Sequence, residues 1–159
     1  MFRSSKTKAL VLSIVMIFSL LLSGCMDADY KETKLENGEK CYYDVDDSGI
    51  SMLKGIDVSK ASRNEILNLQ GDDVEKPEAK GKIENAEQAA VRGTEALNEV
   101  YDNWTYQDNT IVVRYNELAD VWYAFGQVKD RNSVQDVGNV IFDAKSGEVL
   151  FICLAHPED

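Results

Sequence analysis

One helix-forming stretch decides the fold: Asn85-Ala86-Glu87-Gln88-Ala89-Ala90-Val91-Arg92-Gly93-Thr94-Glu95-Ala96-Leu97-Asn98-Glu99-Val100-Tyr101. Small and apolar residues recur in it every three or four positions, as they do on one face of an α-helix. They are Ala86, Ala89, Ala90, Gly93, Ala96, Leu97, Val100 and Tyr101. Asn85 and Gln88 have the spacing of a capping box, which marks the first turn. The pattern therefore predicts a helix of about four turns, whose small residues would let a sheet approach closely.

Four strands are predicted after this helix. The segment Val121-Trp122-Tyr123-Ala124-Phe125-Gly126 is apolar on both faces, which is typical of a central strand. The other three fall at residues 111–115, 137–143 and 149–154. Because the connections are short, neighbouring strands should be antiparallel. We expect an α+β fold in which one long helix packs on a curved four-stranded antiparallel sheet.

A smaller strand and helix are predicted before the main helix. Cys41 to Val45 has strand-forming residues, and a turn and a short strand follow up to Leu53. Ser62 and Glu65 fit a capping box, which predicts a helix from Arg63 to Gln70. Residues 71–82 read as a surface loop. We expect residues 41–159 to form a single α+β domain.

The amino terminus has the layout of a secretory signal peptide. Basic residues precede an apolar run at residues 9–22, which is shorter than the ~20 residues needed to span a bilayer. The run ends in Leu22-Ser23-Gly24-Cys25, which resembles the lipobox of bacterial lipoproteins. That resemblance implies that residues 1–24 are removed and that Cys25 carries a diacylglycerol anchor, with palmitate-type acyl chains. It places the protein in the bacterial cell envelope, membrane-anchored and facing outside the cytoplasm.

The remaining chain is strongly acidic. Residues 1–24 hold three of the 17 basic residues and none of the 28 acidic ones, so the processed chain has 14 basic and 28 acidic residues, a net charge of −14. Such a surface repels nucleic acid and favours a protein partner with a basic surface. The charge could equally serve only solubility. Residues 25–40 are polar and mixed in sign, which indicates a flexible tether.

Two cysteines remain besides Cys25. Outside the cytoplasm, Cys41 and Cys153 could form a disulfide that closes a loop of 113 residues. Such a closure would be worth roughly 4–5 kcal/mol. The alternative is two separate buried thiols, each acting as a small apolar residue.

The second half of the chain resembles a known family. The resemblance rests on three segments at residues 83–90, 121–126 and 140–150, and it covers residues 83–154. They are similar to the NTF2-fold immunity proteins, which are cone-shaped α+β domains of the cystatin-like kind, and secondly to PepSY domains. The first resemblance implies a protein-binding domain. It implies no set of catalytic residues in this sequence. The second implies restraint of an envelope peptidase.

We expect binding and no catalysis. Three cysteines and a lone His156 lack the spacing of a zinc site, and no nucleotide-binding motif is present. We therefore predict no metal and no cofactor. The candidate partner-binding residues are Trp104 and Tyr106, just after the helix, and Arg114, which could bind a carboxylate on an open sheet face. A small-ligand or hydrolytic role in the cone stays open as the alternative.

The lipobox yields a direct prediction. Cys25→Ser should leave an uncleaved precursor without lipid, because only the thiol accepts the diacylglycerol group. Fractionation and intact-mass measurement of the wild-type and variant proteins would check this. A wild-type protein that begins at another residue, or that carries no added lipid mass, would contradict it.

Overall fold

The structure is a computed structural model that describes residues 30–46, 51–101, 110–127 and 137–155. These residues form two helices and two sheets. The helices are α1 (Arg63–Leu67) and α2 (Ala86–Val100). The strands are β1 (Lys31–Lys34), β2 (Lys40–Val45), β3 (Met52–Leu53), β4 (Ile56–Asp57), β5 (Thr110–Asn116), β6 (Val121–Gln127), β7 (Val137–Asp143) and β8 (Val149–Ala155). Neither helix of this part of the chain is long and apolar enough to cross a membrane.

The main sheet has six strands in the order β1-β2-β5-β6-β7-β8, and β3 and β4 form a separate two-stranded sheet. Strands β5 to β8 are antiparallel to their neighbours, whereas β2 pairs with β5 in parallel. The predicted fold of one long helix on a curved four-stranded antiparallel sheet, the cystatin- or NTF2-like cone, is therefore wrong. The sheet is larger and mixed because two strands from before the helix join its β5 edge.

Helix α2 forms where the apolar period predicts it. The Asn85 side chain accepts a hydrogen bond from the Gln88 amide, and the Gln88 side chain accepts one from the Glu84 amide. In a capping box the amide of the N-cap residue, Asn85, would donate this second bond. Here the amide of the preceding residue donates it. The helix packs on β2, β5, β6 and β7 through a buried face of small residues. A Cβ atom at Gly93 would lie 2.7 Å from the Ala124 Cβ atom, so the helix backbone packs directly on side chains of the sheet there.

The opposite face of the sheet is covered by residues 51–69. Leu53, Val58, Ala61 and Ile66 are buried against it, in one cluster with Tyr123, Ile141, Phe151 and others. The predicted capping box at the start of α1 is confirmed, with Ser62 and Glu65 bonded reciprocally. The central position predicted for β6 is also confirmed. The strand pairs with β5 on one side and β7 on the other, and side chains on both of its faces are buried.

Strand β8 contains a bulge that regular alternation does not reveal. Ile141 pairs with Phe151 while Phe142 pairs with Val149, so β8 holds one residue more than β7. As a result, Val149 packs on the helix side, whereas Phe151 packs on the other side. A bulge shifts the side-chain alternation of its strand in this way.

The two edges of the main sheet differ. Strand β1 lies at one edge, within the range 25–40 that the sequence assigned to a tether. At the other edge, residues 71–76 run beside β8. The Asp72 amide donates to the Ile152 carbonyl at 2.9 Å, and the Asp72 carboxylate accepts from the Leu154 amide and the Tyr101 hydroxyl. This segment therefore covers the backbone of β8.

Of the two alternatives for Cys41 and Cys153, the structure has separate thiols and no disulfide. Both thiols are free and buried, and they lie on opposite faces of the sheet. Three strands separate β2 from β8, a distance of about 19 Å at the usual strand spacing. Because bridged cysteines have Cα atoms within about 7 Å, these two cannot join.

Gly93 offers a test of the helix–sheet contact. Ala favours a helix over Gly by up to ~1 kcal/mol, so Gly93→Ala would stabilise an exposed site. Here the added methyl group would meet Ala124 and Ile111. We expect a net loss of about 1–3 kcal/mol in the free energy of unfolding, measured by chemical denaturation.

Asn98→Ala is the matched control, since Asn98 is exposed on the same helix. It should leave the stability unchanged or slightly raised. A Gly93→Ala variant as stable as Asn98→Ala would contradict the close contact.

Candidate functional site

An open groove lies where β2 ends beside β5. We call it the β5 groove; it has a volume of about 780 Å³. Its lining residues are Val45, Asp46, Ser59, Lys60, Arg114, Tyr115, Asn116, Glu117, Leu118 and Trp122. Strand β2 pairs with β5 only as far as Val45 and Val113, whereas β5 continues to Asn116. The groove lies beside the part of β5 that extends past the end of β2.

Asn116 joins the walls of the groove. Its side-chain amide donates to the Val58 carbonyl at 2.7 Å and to the Ala61 carbonyl at 2.8 Å, and its carbonyl accepts from the Ala119 amide. The side chain is buried, so these bonds are shielded from water. Asn116 thus holds residues 58–61 against the turn between β5 and β6.

Asp57 orders the loop that carries Ser59 and Lys60. Its carboxylate accepts from the Ser59 hydroxyl at 2.6 Å and from the Ser51 and Ser59 amides. The Ser59 hydroxyl bond, followed by the Ser51 amide bond, lowers the pKa of Asp57 to about 2. Asp57 is therefore ionised at neutral pH, and it forms an ion pair with Lys60 at 3.7 Å.

Arg114 does not have the exposed position that we expected. Its side chain is only 7% exposed and lies on the face of the sheet that residues 51–69 cover. Its Nε atom donates to the Asp46 carbonyl at 2.8 Å and one terminal nitrogen donates to the Ser51 hydroxyl at 2.7 Å, with the Asp46 carboxylate 3.4 Å away. The expectation that Arg114 lies on an open sheet face is wrong, because residues 46 and 51 enclose the guanidinium. Arg114 instead fixes the end of β2. Its contact with a partner's carboxylate stays a prediction.

The apolar part of the groove comes from the turn between β5 and β6. Leu118 is 71% exposed and Tyr115 is 40% exposed, whereas Trp122 is buried. The ring centroids of Tyr115 and Trp122 are 5.0 Å apart, and the Trp122 indole N–H donates to the Ile83 carbonyl at 3.2 Å. Tyr115 also donates to the Asp120 carboxylate, which raises the pKa of its phenol. These contacts hold an apolar surface beside open solvent.

The charges of the groove nearly cancel. Asp46 lies beside Arg114 and Asp57 beside Lys60, so each basic residue has an acidic neighbour. Glu117 is exposed and has no ion pair among the described residues. The four charged lining residues therefore cancel; with Asp57 counted beside them there is one excess negative charge, and Glu117 is the lining carboxylate without a basic neighbour.

Three of the predicted site residues, Cys25, Trp104 and Tyr106, lie outside the described residues. The lone His156, to which we assigned no role, also lies outside them. Arg114 lines the groove, where its bonds to Asp46 and Ser51 hold the end of β2 in place. None of the sequence patterns above identifies Asn116, Glu117, Leu118 or Lys60 as a site residue. The available signal was Leu118, a large apolar residue in a turn that otherwise reads as polar.

The two described thiols are poorly suited to nucleophilic chemistry. Burial raises the pKa of the Cys41 thiol, and burial raises that of Cys153 to about 11. Since the thiolate is the reactive form, both are protonated at neutral pH. In the described part of the chain, no three His, Cys, Asp or Glu residues are grouped to hold a metal ion.

Comparison with known proteins adds no relative. No protein-family model matches the chain, and no curated protein or solved structure is significantly similar to it.

Arg114→Met tests the support of the groove. The variant leaves the Asp46 carboxylate without its guanidinium partner, and breaking a buried pair typically costs about 3 kcal/mol. We therefore expect a lower midpoint of denaturation. Lys145→Met is the control, because it breaks the exposed Lys145–Asp120 pair at 2.7 Å and should leave the midpoint almost unchanged. Equal midpoints for the two variants would contradict the structural role of Arg114.

Proposed function

We propose that this chain is a non-catalytic protein-binding module, tethered to the cell envelope through a lipid on Cys25, and that the β5 groove is its binding surface. The observation that carries the proposal is an exposed apolar residue, Leu118, beside an open, ordered groove. Leu118 protrudes into solvent from the turn at residues 117–120, which is held by the side chains of Asn116 and Tyr115. Such a residue is suited to contact a partner without rearrangement.

The shape of the groove favours a protein over a small molecule. Small-ligand pockets usually enclose 70–90% of their ligand and are lined mainly by apolar groups. The β5 groove is open on one side and mixes apolar residues with charged ones. Protein interfaces have this anatomy, with a few apolar anchors inside a polar rim.

The lipid anchor and the immunity-like role remain predictions. They rest on the lipobox-like sequence at residues 22–25 and on the resemblance to NTF2-fold immunity proteins. Restraint of an envelope peptidase, implied by the resemblance to PepSY domains, is likewise a prediction. All three fit a binding module, and a basic surface on the partner would complement the acidic chain.

Site-specific photo-crosslinking in cells tests the proposal. A photoreactive amino acid at Leu118 should join the chain to a protein partner, whereas the same amino acid at Leu67 should not. Leu67 is the matched control because it is 54% exposed but lies on α1, away from the groove lining. Mass spectrometry would identify the crosslinked protein.

The affinity for that protein supplies the second measurement. Leu118→Asp should weaken binding by about tenfold or more, as expected for an apolar anchor. Leu67→Asp should bind like the wild type. Equal crosslinking at the two positions, or full affinity in Leu118→Asp, would contradict the proposal.

A further inference from the structure

Within the described part of the chain, β5 has no strand partner on its β2 side at Tyr115. The Asp46 amide donates to the Val113 carbonyl, so the backbone groups of Val113 point toward β2. Along a strand these groups alternate in direction, so those of Tyr115 also point toward the β2 side. No residue of β2 lies opposite Tyr115, because the pairing ends at Val45 and Val113. The amide and carbonyl of Tyr115 therefore face the groove.

The other strand edges offer less to an incoming chain. Residues 72–76 cover the backbone of β8, with Asp72 bonded to Ile152 and Lys76 bonded to the Leu150 carbonyl. Strand β1 has only four residues and carries Lys31 and Lys34, and short lysine-bearing edges resist strand addition. The open part of β5 differs from both, because it lies in a groove beside an exposed apolar residue.

We propose that the β5 groove receives an extended segment of the partner protein, which pairs with β5 at Tyr115 and places a basic side chain at Glu117 and an apolar side chain at Leu118. This inference rests on the proposed function and names the form of the partner. Main-chain hydrogen bonds to an exposed strand supply affinity in such complexes, and side-chain contacts supply specificity.

Charge complementarity assigns the basic side chain. Glu117 is the one lining charge without an opposite neighbour in the described part of the chain. A lysine or arginine of the incoming segment would pair with it, and the net charge of the whole chain would favour the encounter. The apolar side chain would cover Leu118 and the exposed face of Tyr115.

A peptide library provides the probe. Random ten-residue peptides displayed on phage would be selected on the full-length protein in detergent, and the enriched peptides would be synthesised. We expect them to share a basic residue near an apolar residue, with no proline between them. Enrichment of sequences without any such pattern would overturn the proposal.

Two variants at one position separate the backbone from the side chain. Tyr115→Ala removes the ring but keeps the amide, whereas Tyr115→Pro also removes the amide that faces the groove. Proline is tolerated in a strand where its missing amide faces away from the neighbouring strand. The proline variant should bind the selected peptide about fivefold more weakly than the alanine variant, which corresponds to one hydrogen bond. Circular dichroism melts would show that both variants are folded.

A charge reversal tests the basic contact. Glu117→Lys should weaken the peptide about threefold or more, mostly through slower association, and added salt should reduce the difference. Glu75→Lys is the matched control, because Glu75 is exposed beside the opposite edge of the sheet. A peptide with its basic residue changed to Glu should prefer the Glu117→Lys protein.

The outcomes also separate this inference from the proposed function. If Leu118→Asp abolishes binding while Tyr115→Pro and Tyr115→Ala bind equally, the groove binds proteins but not by strand pairing, and the inference fails alone. If all variants bind like the wild type, the groove is not the binding surface and both fail. Self-association of the full-length protein that Tyr115→Pro abolishes would identify a second copy as the occupant, which also overturns the inference.

Discussion

The central strands of the main sheet are apolar on both faces, and the rest of the structure follows from the need to cover both. In β6, Trp122 and Ala124 face helix α2, whereas Val121 and Tyr123 face residues 51–69. One helix cannot cover both faces of a sheet, so a second layer is required. Residues 51–69 supply that layer.

The groove is a consequence of this second layer. The chain lies beside β5 at Asp46 and on the far face of the sheet from Ser51 onward, and β2 ends before β5 does. The buried pair of Arg114 and Asp46 fixes the end of β2, and Asn116 holds the segment on the far face at Val58 and Ala61. The open stretch of β5 is therefore held by the same contacts that close the core.

The elements with local signals could be predicted from the sequence. The helix at residues 86–100 follows from its apolar period, and β6 follows from its continuous apolar run. The sheet as a whole could not be predicted, because nothing in Cys41 to Val45 indicates a parallel partner almost 70 positions away. Arg114 was misplaced for the same reason, since the groups that bury it are 68 and 63 positions away in the chain. The bulge in β8 likewise depends on its partner strand and not on its own alternation.

Residue-specific amide hydrogen exchange tests the strand-pairing claim most directly. The amides of Val113 and Tyr115 lie on the same side of one strand, but only Val113 has β2 beside it. In the unbound protein, the Tyr115 amide should exchange much faster than the Val113 amide, and a bound partner should slow it toward the rate of Val113. Equal protection of the two amides before binding, or no change at Tyr115 when the partner binds, would contradict strand addition at β5.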